Sequence, residues 1–250
     1  MQDPVSSLHI AAAASQKTKE RDYWLKKLSD PPEPGGFPYD RPGENQAGKS
    51  REPGSLDALK AEAFRFSSEL SARLIKISNG SDARLFVVLT AGLSTLIYKY
   101  THKTDLIVGT SIIKPEEGIP LINRVLALRN RLDSHMTFKE LVLQVKEVFG
   151  EAVENQDYPY ETLLYQLGVP CSGVESPLFE VVILLESLHE KKYLLHTQPA
   201  IRPGVRQGYE TMKICFIFSR KGDCLEGVVH YDGRLYRVDT IRQIIRHYLH

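Results

Sequence analysis

DARLFVVLTAGLSTLIYKYTHKTDLIVGTS, residues 82–111, decides the fold of this chain. Its first part places Leu85, Val88, Leu89, Gly92 and Leu96 at i, i+3, i+4, i+7 and i+11, the stripe of a helix. Phe86, Leu93 and Ile97 widen that stripe until it covers most of the circumference, so the helix is predicted to be buried on most sides. The second part, DLIVGTSII, is a β-branched run that the short KTD turn separates from the helix, and it reads as a strand. A buried helix feeding directly into a buried strand points to an α/β architecture.

Working outward, the same alternation of elements continues. Upstream, SSELSARLIKIS (67–78) is a helix with Ser67 or Ser68 as its N-cap. LKAEAFRF (59–66) before it is a strand showing Leu59, Ala61 and Ala63 on one face, then Phe64 and Phe66 after a shift of face. Downstream, LINRVLALRNRL (121–132) is a strand candidate carrying Arg124, Arg129 and Arg131. Thr137 and Glu140 form a capping box at the start of a long helix, TFKELVLQVKEVFGEAVEN, whose inner face is Leu141, Val145, Val148, Phe149 and Ala152. A short helix follows from Pro159, with Asp157 expected to cap it.

LFEVVILLE (178–186) is nearly all apolar, as in a strand covered on both faces. TMKICFIFS and LEGVVHYDG are expected to pair as a hairpin through Gly222 and Asp223. The last segment, DTIRQIIRHYLH, is a helix predicted to start at Asp239 as its cap and to turn Ile241, Ile244, Ile245 and Tyr248 inward. Strands and helices interleave without internal repeat. The fold class expected is α/β, a two-layer sandwich with a mixed sheet backed by helices.

The N-terminal quarter is different. Residues 1–16 are small and polar and read as a flexible leader. Residues 17–56 hold a short helix, KTKERDYWLKKLS, with an apolar patch of Tyr23, Trp24 and Leu28, and then a Pro- and Gly-rich linker. That linker is expected to lie extended over a surface. The main domain is read over 57–250.

Composition excludes several classes. Lys+Arg number 32 and Asp+Glu 31, so the chain has no basic footprint for nucleic acid or an anionic membrane. No apolar run approaches the ~20 residues of a membrane span, and the N-terminus lacks the basic and apolar regions of a signal peptide. Cys171, Cys215 and Cys224 are odd in number and have no CxxC spacing, which fits a reducing, cytoplasmic setting better than disulfides or zinc. Cys215 is expected to be a buried apolar filler. His189 and His196 flank a Lys-Lys-Tyr stretch without a third metal ligand, and His230 reads as structural.

Several stretches, in order, resemble the later half of a condensation domain from a nonribosomal peptide synthetase. YWLKKL (23–28) and PYDRP (38–42) are similar to that family's Tyr-Trp-Leu element and Asp-Arg-Pro linker. Residues 85–111 resemble its long helix, turn and Val-Gly-Thr strand. ENQDYPYETLL (154–164) resembles its His-Gln-Asp-x-Pro-Phe-Glu motif, SPLFEVVILLES (176–187) its Pro-Leu-Phe strand, and LEGVVHYDGRLYRVDTI (225–241) its closing strand and helix.

The resemblance implies a chloramphenicol acetyltransferase-like lobe, one of the two that face each other in a whole condensation domain. In the family the catalytic HHxxxDG motif lies in the first lobe. None of the eight histidines here has a neighbouring His or precedes Asp-Gly at that spacing, so no catalytic residue is assigned. Ser111 stands where the family has Pro, the loop beginning at Ile112 is shorter, and Arg124 falls at the family's Asn position if Arg129 is aligned with its arginine.

Gly109, Thr110, Ser111 and Arg124 are therefore the candidates for a substrate-tunnel or carrier-facing position, whereas Asn155, Gln156, Asp157 and Pro159 form a motif read as structural. Arg124, Arg129 and Arg131 could meet a phosphopantetheine phosphate or form a solvated strand edge. No metal and no directly bound cofactor are expected; phosphopantetheine would arrive on a carrier.

The function expected is a truncated or degenerate condensation lobe. It would be non-catalytic alone and would contact a peptidyl carrier domain or an adenylation domain of the parent synthetase. The alternative is the acceptor-side half of an active domain. RHYLH stops inside the family's last helix, so the resemblance implies continuation into an adenylation domain. With a partner lobe absent, the TMKICFIFS hairpin is expected to expose an apolar edge. Self-association, or cover by the chain's own residues 189–210, would then follow.

Overall fold

The computed structural model describes residues 15–41, 59–113, 125–169, 176–189 and 213–250. The expectations for Arg124, Cys171, His196, most of the leader and residues 190–210 fall outside them.

Local chemistry sets most of the elements. Helix α1 is Thr18–Lys27, and strand β1 is Leu59–Arg65. Helix α2, Ser68–Ile77, begins where Ser67 Oγ accepts the Leu70 N–H. The turn to the next helix places Asn79 and Gly80 at positive φ, which an Asn-Gly pair adopts at little cost. Helix α3, Asp82–Thr101, is the buried helix of residues 82–111: Leu85, Phe86, Leu93 and Ile97 have no exposed surface.

Strand β2 is Asp105–Ser111 and β3 is Val125–Arg131. Helix α4, Phe138–Glu154, starts at the reciprocal Thr137–Glu140 capping box. Helix α5 (Tyr160–Gln166), strand β4 (Val181–Leu185), the hairpin β5 (Ile214–Lys221) and β6 (Cys224–Asp232), and helix α6 (Val238–Leu249) complete the order. Gly222 takes φ +60° at the first of the two hairpin-turn positions.

The described strands form one six-stranded mixed sheet in the order β1-β6-β5-β4-β2-β3. β2, β4 and β5 run parallel; β3, β6 and β1 are antiparallel to their neighbours. β4, at the centre, is buried along its whole length, as its unbroken apolar run requires. The α/β sandwich of a mixed sheet backed by helices is thus the observed architecture. Trp24, Leu28 and Phe37 belong to the same hydrophobic core as the sheet.

Three local expectations are corrected. Leu59, Ala61 and Ala63 do not face the core, and β1 keeps one regular alternation without a shift of face. Phe64 and Phe66 reach Phe218 and Tyr248 at ring separations of 5.8–6.3 Å among the cluster, which commits the even-numbered side to the helices. Phe64 lies across Gly227, where any Cβ would collide with its ring.

The hairpin has no free edge: β5 is enclosed by β4 and β6, and β6 by β5 and β1, so among the described strands the sheet ends at β1 and β3. The rationale for self-association through that hairpin is thereby removed. Finally, Asp239 is not the cap of α6. Arg237 occupies the cap position, and the carboxylate there comes from Asp40, whose Oδ2 accepts the Arg237 N–H at 2.7 Å.

Candidate functional site

In an open sheet with parallel strands, ligands bind beyond the carboxyl ends of those strands. Here those ends are Gly109–Ser111 of β2 with the two residues after it, and Leu185 of β4 with the residues to His189. The sequence candidates Gly109, Thr110 and Ser111 lie there, and the structure brings the 155–160 motif beside them. Arg124 lies outside the described residues.

Gly109 pairs with Val182. The ring of Phe179 occupies the space that a Cβ on Gly109 would need. Tyr160 stands 6.2 Å from that ring, and its hydroxyl meets Ser176 Oγ at 2.9 Å. The close approach that a strand glycine permits is therefore made by this chain's own aromatic side chain. Thr110 and Ser111 are both fully buried.

Thr110 faces the helices. Its hydroxyl donates to the Ile183 carbonyl at 2.8 Å and lies 3.3 Å from His189 Nε2. His189 Nδ1 lies 3.1 Å from both the N–H and the carbonyl of Leu185, so Leu185 can serve either neutral tautomer of the ring. His189 is 2% exposed and packs on Phe86, and burial lowers its pKa to about 4. It is a neutral imidazole with both nitrogens engaged. Sequence alone marks only that His189 has no metal partners, because nothing in its neighbours along the chain reports burial.

The 155–159 motif works as a bracket. The Asn155 carbonyl accepts the Trp24 indole N–H at 2.7 Å, and its amide nitrogen donates to the Glu151 carbonyl. Asn155 Oδ1 is buried without a hydrogen-bond partner among the described residues. Gln156 Oε1 accepts the Ile113 N–H at 3.1 Å and so holds the segment leaving β2. Asp157 does not cap α5: its exposed carboxylate pairs with Lys17 at 3.2 Å, and Pro159 holds the cap position. Asn155 and Asp157 both hold α1, at Trp24 and at its cap residue Lys17, and the Gln156–Ile113 link has no signal in sequence because 43 residues separate the partners.

Arg129 is neither a solvated edge nor open to a phosphate. It is 8% exposed, forks onto Asp105, and donates to the carbonyls of Lys27, Ser29 and Asp30 at 2.7–3.2 Å. Hydrogen bonding to Asp105 raises its pKa above the ordinary arginine value. Arg131, on the same strand, is largely exposed. A cavity of about 440 Å³ opens beside them between α1 and α4, lined by Lys26, Arg131, Gln144 and Glu147 among others. Its lining mixes both charges and it lies at the β3 edge, away from the carboxyl ends, so it is not the candidate site. No group of three or more His, Cys, Asp or Glu able to hold a metal occurs among the described residues. Cys215 is buried, and burial pushes its thiol pKa up to about 12.

This geometry has counterparts among known proteins. A family model described as "Condensation domain" matches residues 5–250. Gramicidin S synthase 2 of Brevibacillus brevis is 26% identical over 238 residues, covering 92% of this chain and 5% of that protein. The X-domain from teicoplanin biosynthesis superposes with a TM-score of 0.70 at 22% identity, over 93% of this chain and 53% of the other. The condensation domain from Monacolin K polyketide synthase gives 0.68 at 20% identity, over 96% and 57%. The chain thus spans about half the length of these solved relatives and a small fraction of the synthase. Both structural likenesses concern the fold.

Proposed function

This chain belongs to the condensation domain family of nonribosomal peptide synthetases, and on that premise we propose that it is a partial condensation domain, non-catalytic by itself. In this reading it serves as an interaction and structural module toward carrier or adenylation domains. One observation carries the proposal. His189, the histidine at the carboxyl ends of the described parallel strands, is buried and neutral, with both ring nitrogens bonded to Thr110 and Leu185.

Amide formation from two carrier-bound thioesters requires the acceptor amine to lose a proton as it attacks the donor carbonyl and expels the thiol. A side chain doing that work must reach the amine and exchange a proton near neutral pH. His189 is held in place by bonds it would have to break, and its pKa of about 4 makes it a poor base. The absence of a His-His-x-x-x-Asp-Gly run supports the same reading. The phosphopantetheine arm would enter on a carrier domain, with no cofactor held by this chain.

The test mixes the chain with a donor-loaded and an acceptor-loaded carrier domain, and separately measures binding to a phosphopantetheinylated carrier and to an adenylation domain. Binding without amide formation is expected. Turnover by this polypeptide unaided would overturn the non-catalytic reading, and failure to bind either domain would overturn the interaction role.

The match to about half of each solved relative favours one alternative, the acceptor-side half of an active domain. Amide formation on adding a separate first lobe bearing HHxxxDG would establish it.

A further inference from the structure

Residues 29–40 pass across the sheet from strand to strand, at the end opposite the candidate site. Arg129, near the end of β3, holds the Ser29 and Asp30 carbonyls. Lys103, just before β2, donates to the Pro34 carbonyl at 3.3 Å. Gly36 lies so close to Glu180, just before β4, that a Cβ there would push the Glu180 carboxylate aside. Tyr39 donates its hydroxyl to Glu180 Oε1 at 2.5 Å and accepts from Lys213, just before β5, at 2.7 Å. Phe37 is buried against Tyr100 and Phe216, and Tyr236 donates to its carbonyl.

The crossing ends on α6. Asp40 N–H donates to the Leu235 carbonyl at 3.1 Å, just past β6. Its carboxylate accepts the Arg237 N–H at 2.7 Å and the Thr240 hydroxyl at 2.8 Å. In a capping box the acceptor for the cap residue's N–H is the helix's own third residue. Here that position is Thr240, which donates instead, and the acceptor comes from almost 200 residues earlier in the chain.

We propose that this segment is a tie across the sheet end and that Asp40 is the cap of α6 supplied in trans, so that the tie and α6 open together as one unit. The physical basis is that no side chain of α6 accepts the N–H of its cap residue Arg237; Asp239, in the first turn, has its side chain 89% exposed. A carboxylate at a helix start is favoured both by hydrogen bonding and by the helix dipole. Releasing Asp40 therefore strips α6 of its cap, and fraying α6 removes one of the tie's anchors.

Hydrogen–deuterium exchange on the full chain, resolved by peptide, tests the coupling. Asp40→Ala is expected to speed exchange in 238–245 by roughly 5- to 30-fold and to speed it in 36–40 together with them. Tyr39→Phe, which removes only a hydroxyl, and Glu180→Gln are expected to move both segments in the same direction by less; they keep the test open should Asp40→Ala fold poorly. Asp239→Asn, which removes a first-turn charge and no hydrogen bond to the cap, is expected to speed exchange in 238–245 by less than Asp40→Ala. The proposal is overturned if α6 keeps its protection in the Asp40 variant. It also fails if Tyr39→Phe loosens 36–40 and leaves 238–245 unchanged.

Discussion

Replacing Arg129 by Ala should loosen α1 from the β3 edge of the sheet. The guanidinium donates to both Asp105 oxygens and to three backbone carbonyls that end α1, and it is 8% exposed. Breaking a buried ion pair from one side costs about 3–5 kcal/mol, because a charge is left without its partner. Two features pull the figure to the lower end of that range. The Asp105 side chain is 27% exposed and can recruit water, and Arg131 already stands 3.5 Å from it and can move closer. The orphaned Lys27, Ser29 and Asp30 carbonyls push the other way. The expected loss is about 3 kcal/mol.

Urea unfolding measures it: the midpoint should fall while the slope stays that of wild type. Arg129→Lys keeps the charge and loses the planar fork, so it should lose about half as much. Arg131→Ala, at a side chain 74% exposed, should cost about 0–1 kcal/mol. An Arg129→Ala loss below about 1 kcal/mol, or one equal to that of Arg131→Ala, would refute the view that this arginine anchors α1 to the sheet.

His189 gives a pH test. Its folded pKa of about 4 lies below the ordinary 6.5, so the unfolded chain takes up a proton that the folded chain refuses. Its contribution is complete above about pH 6.5 and falls as pH drops toward 4, by about 2 kcal/mol between pH 7 and pH 5. His189→Gln should flatten that part of the stability–pH curve measured by urea unfolding. Gly109→Ala should cost about 1–3 kcal/mol by overpacking against Phe179, and Phe179→Leu in the same chain should recover part of the loss. With a thiol reagent under native conditions, Cys224, which is exposed, should react at once, whereas Cys215 should react only as the protein unfolds; fast labelling of Cys215 would contradict its burial.

What the sequence made legible was local. The apolar stripe of α3, the Thr137–Glu140 box of α4 and the glycine turn of the β5–β6 hairpin each depend on residues within a few positions of one another. What it hid was non-local. Leu59, Ala61 and Ala63 are as apolar as a core face, and only the rings of Phe218 and Tyr248, far along the chain, decide that Phe64 and Phe66 turn inward instead. Asp239 satisfies every local rule for a cap, yet Asp40 takes the place. Arg129 alternates with apolar residues as a strand-edge cation would, and the carbonyls it holds, at the end of α1 and just beyond it, lie about a hundred positions away. At the candidate site, Gly109–Ser111 could be found from the strand pattern. The bonds of Thr110 to His189 and of Ile113 to Gln156 could not, because they join elements that only the sheet brings together.

The two ends of the sheet divide the work. At one end, residues 29–40 close over the starts of β2, β4 and β5, where Arg129, Glu180, Lys213 and Asp40 are all engaged in holding the crossing segment. A ligand or a partner's arm would have to displace that segment to meet a strand terminus on that side. At the other end the polar groups nearest the core, Thr110 and His189, are bonded to each other and to backbone, and Phe179 fills the gap left by Gly109. Those bonds consume the hydrogen-bonding capacity that a reacting group would need. Thr110 and His189 are buried there, and their bonds hold the strand ends in shape. A variant such as Thr110→Val, which breaks the His189 link without adding charge, should accordingly weaken carrier or adenylation-domain binding only as far as it loosens the fold. Loss of binding with native urea stability would refute the purely structural role given to the buried Thr110.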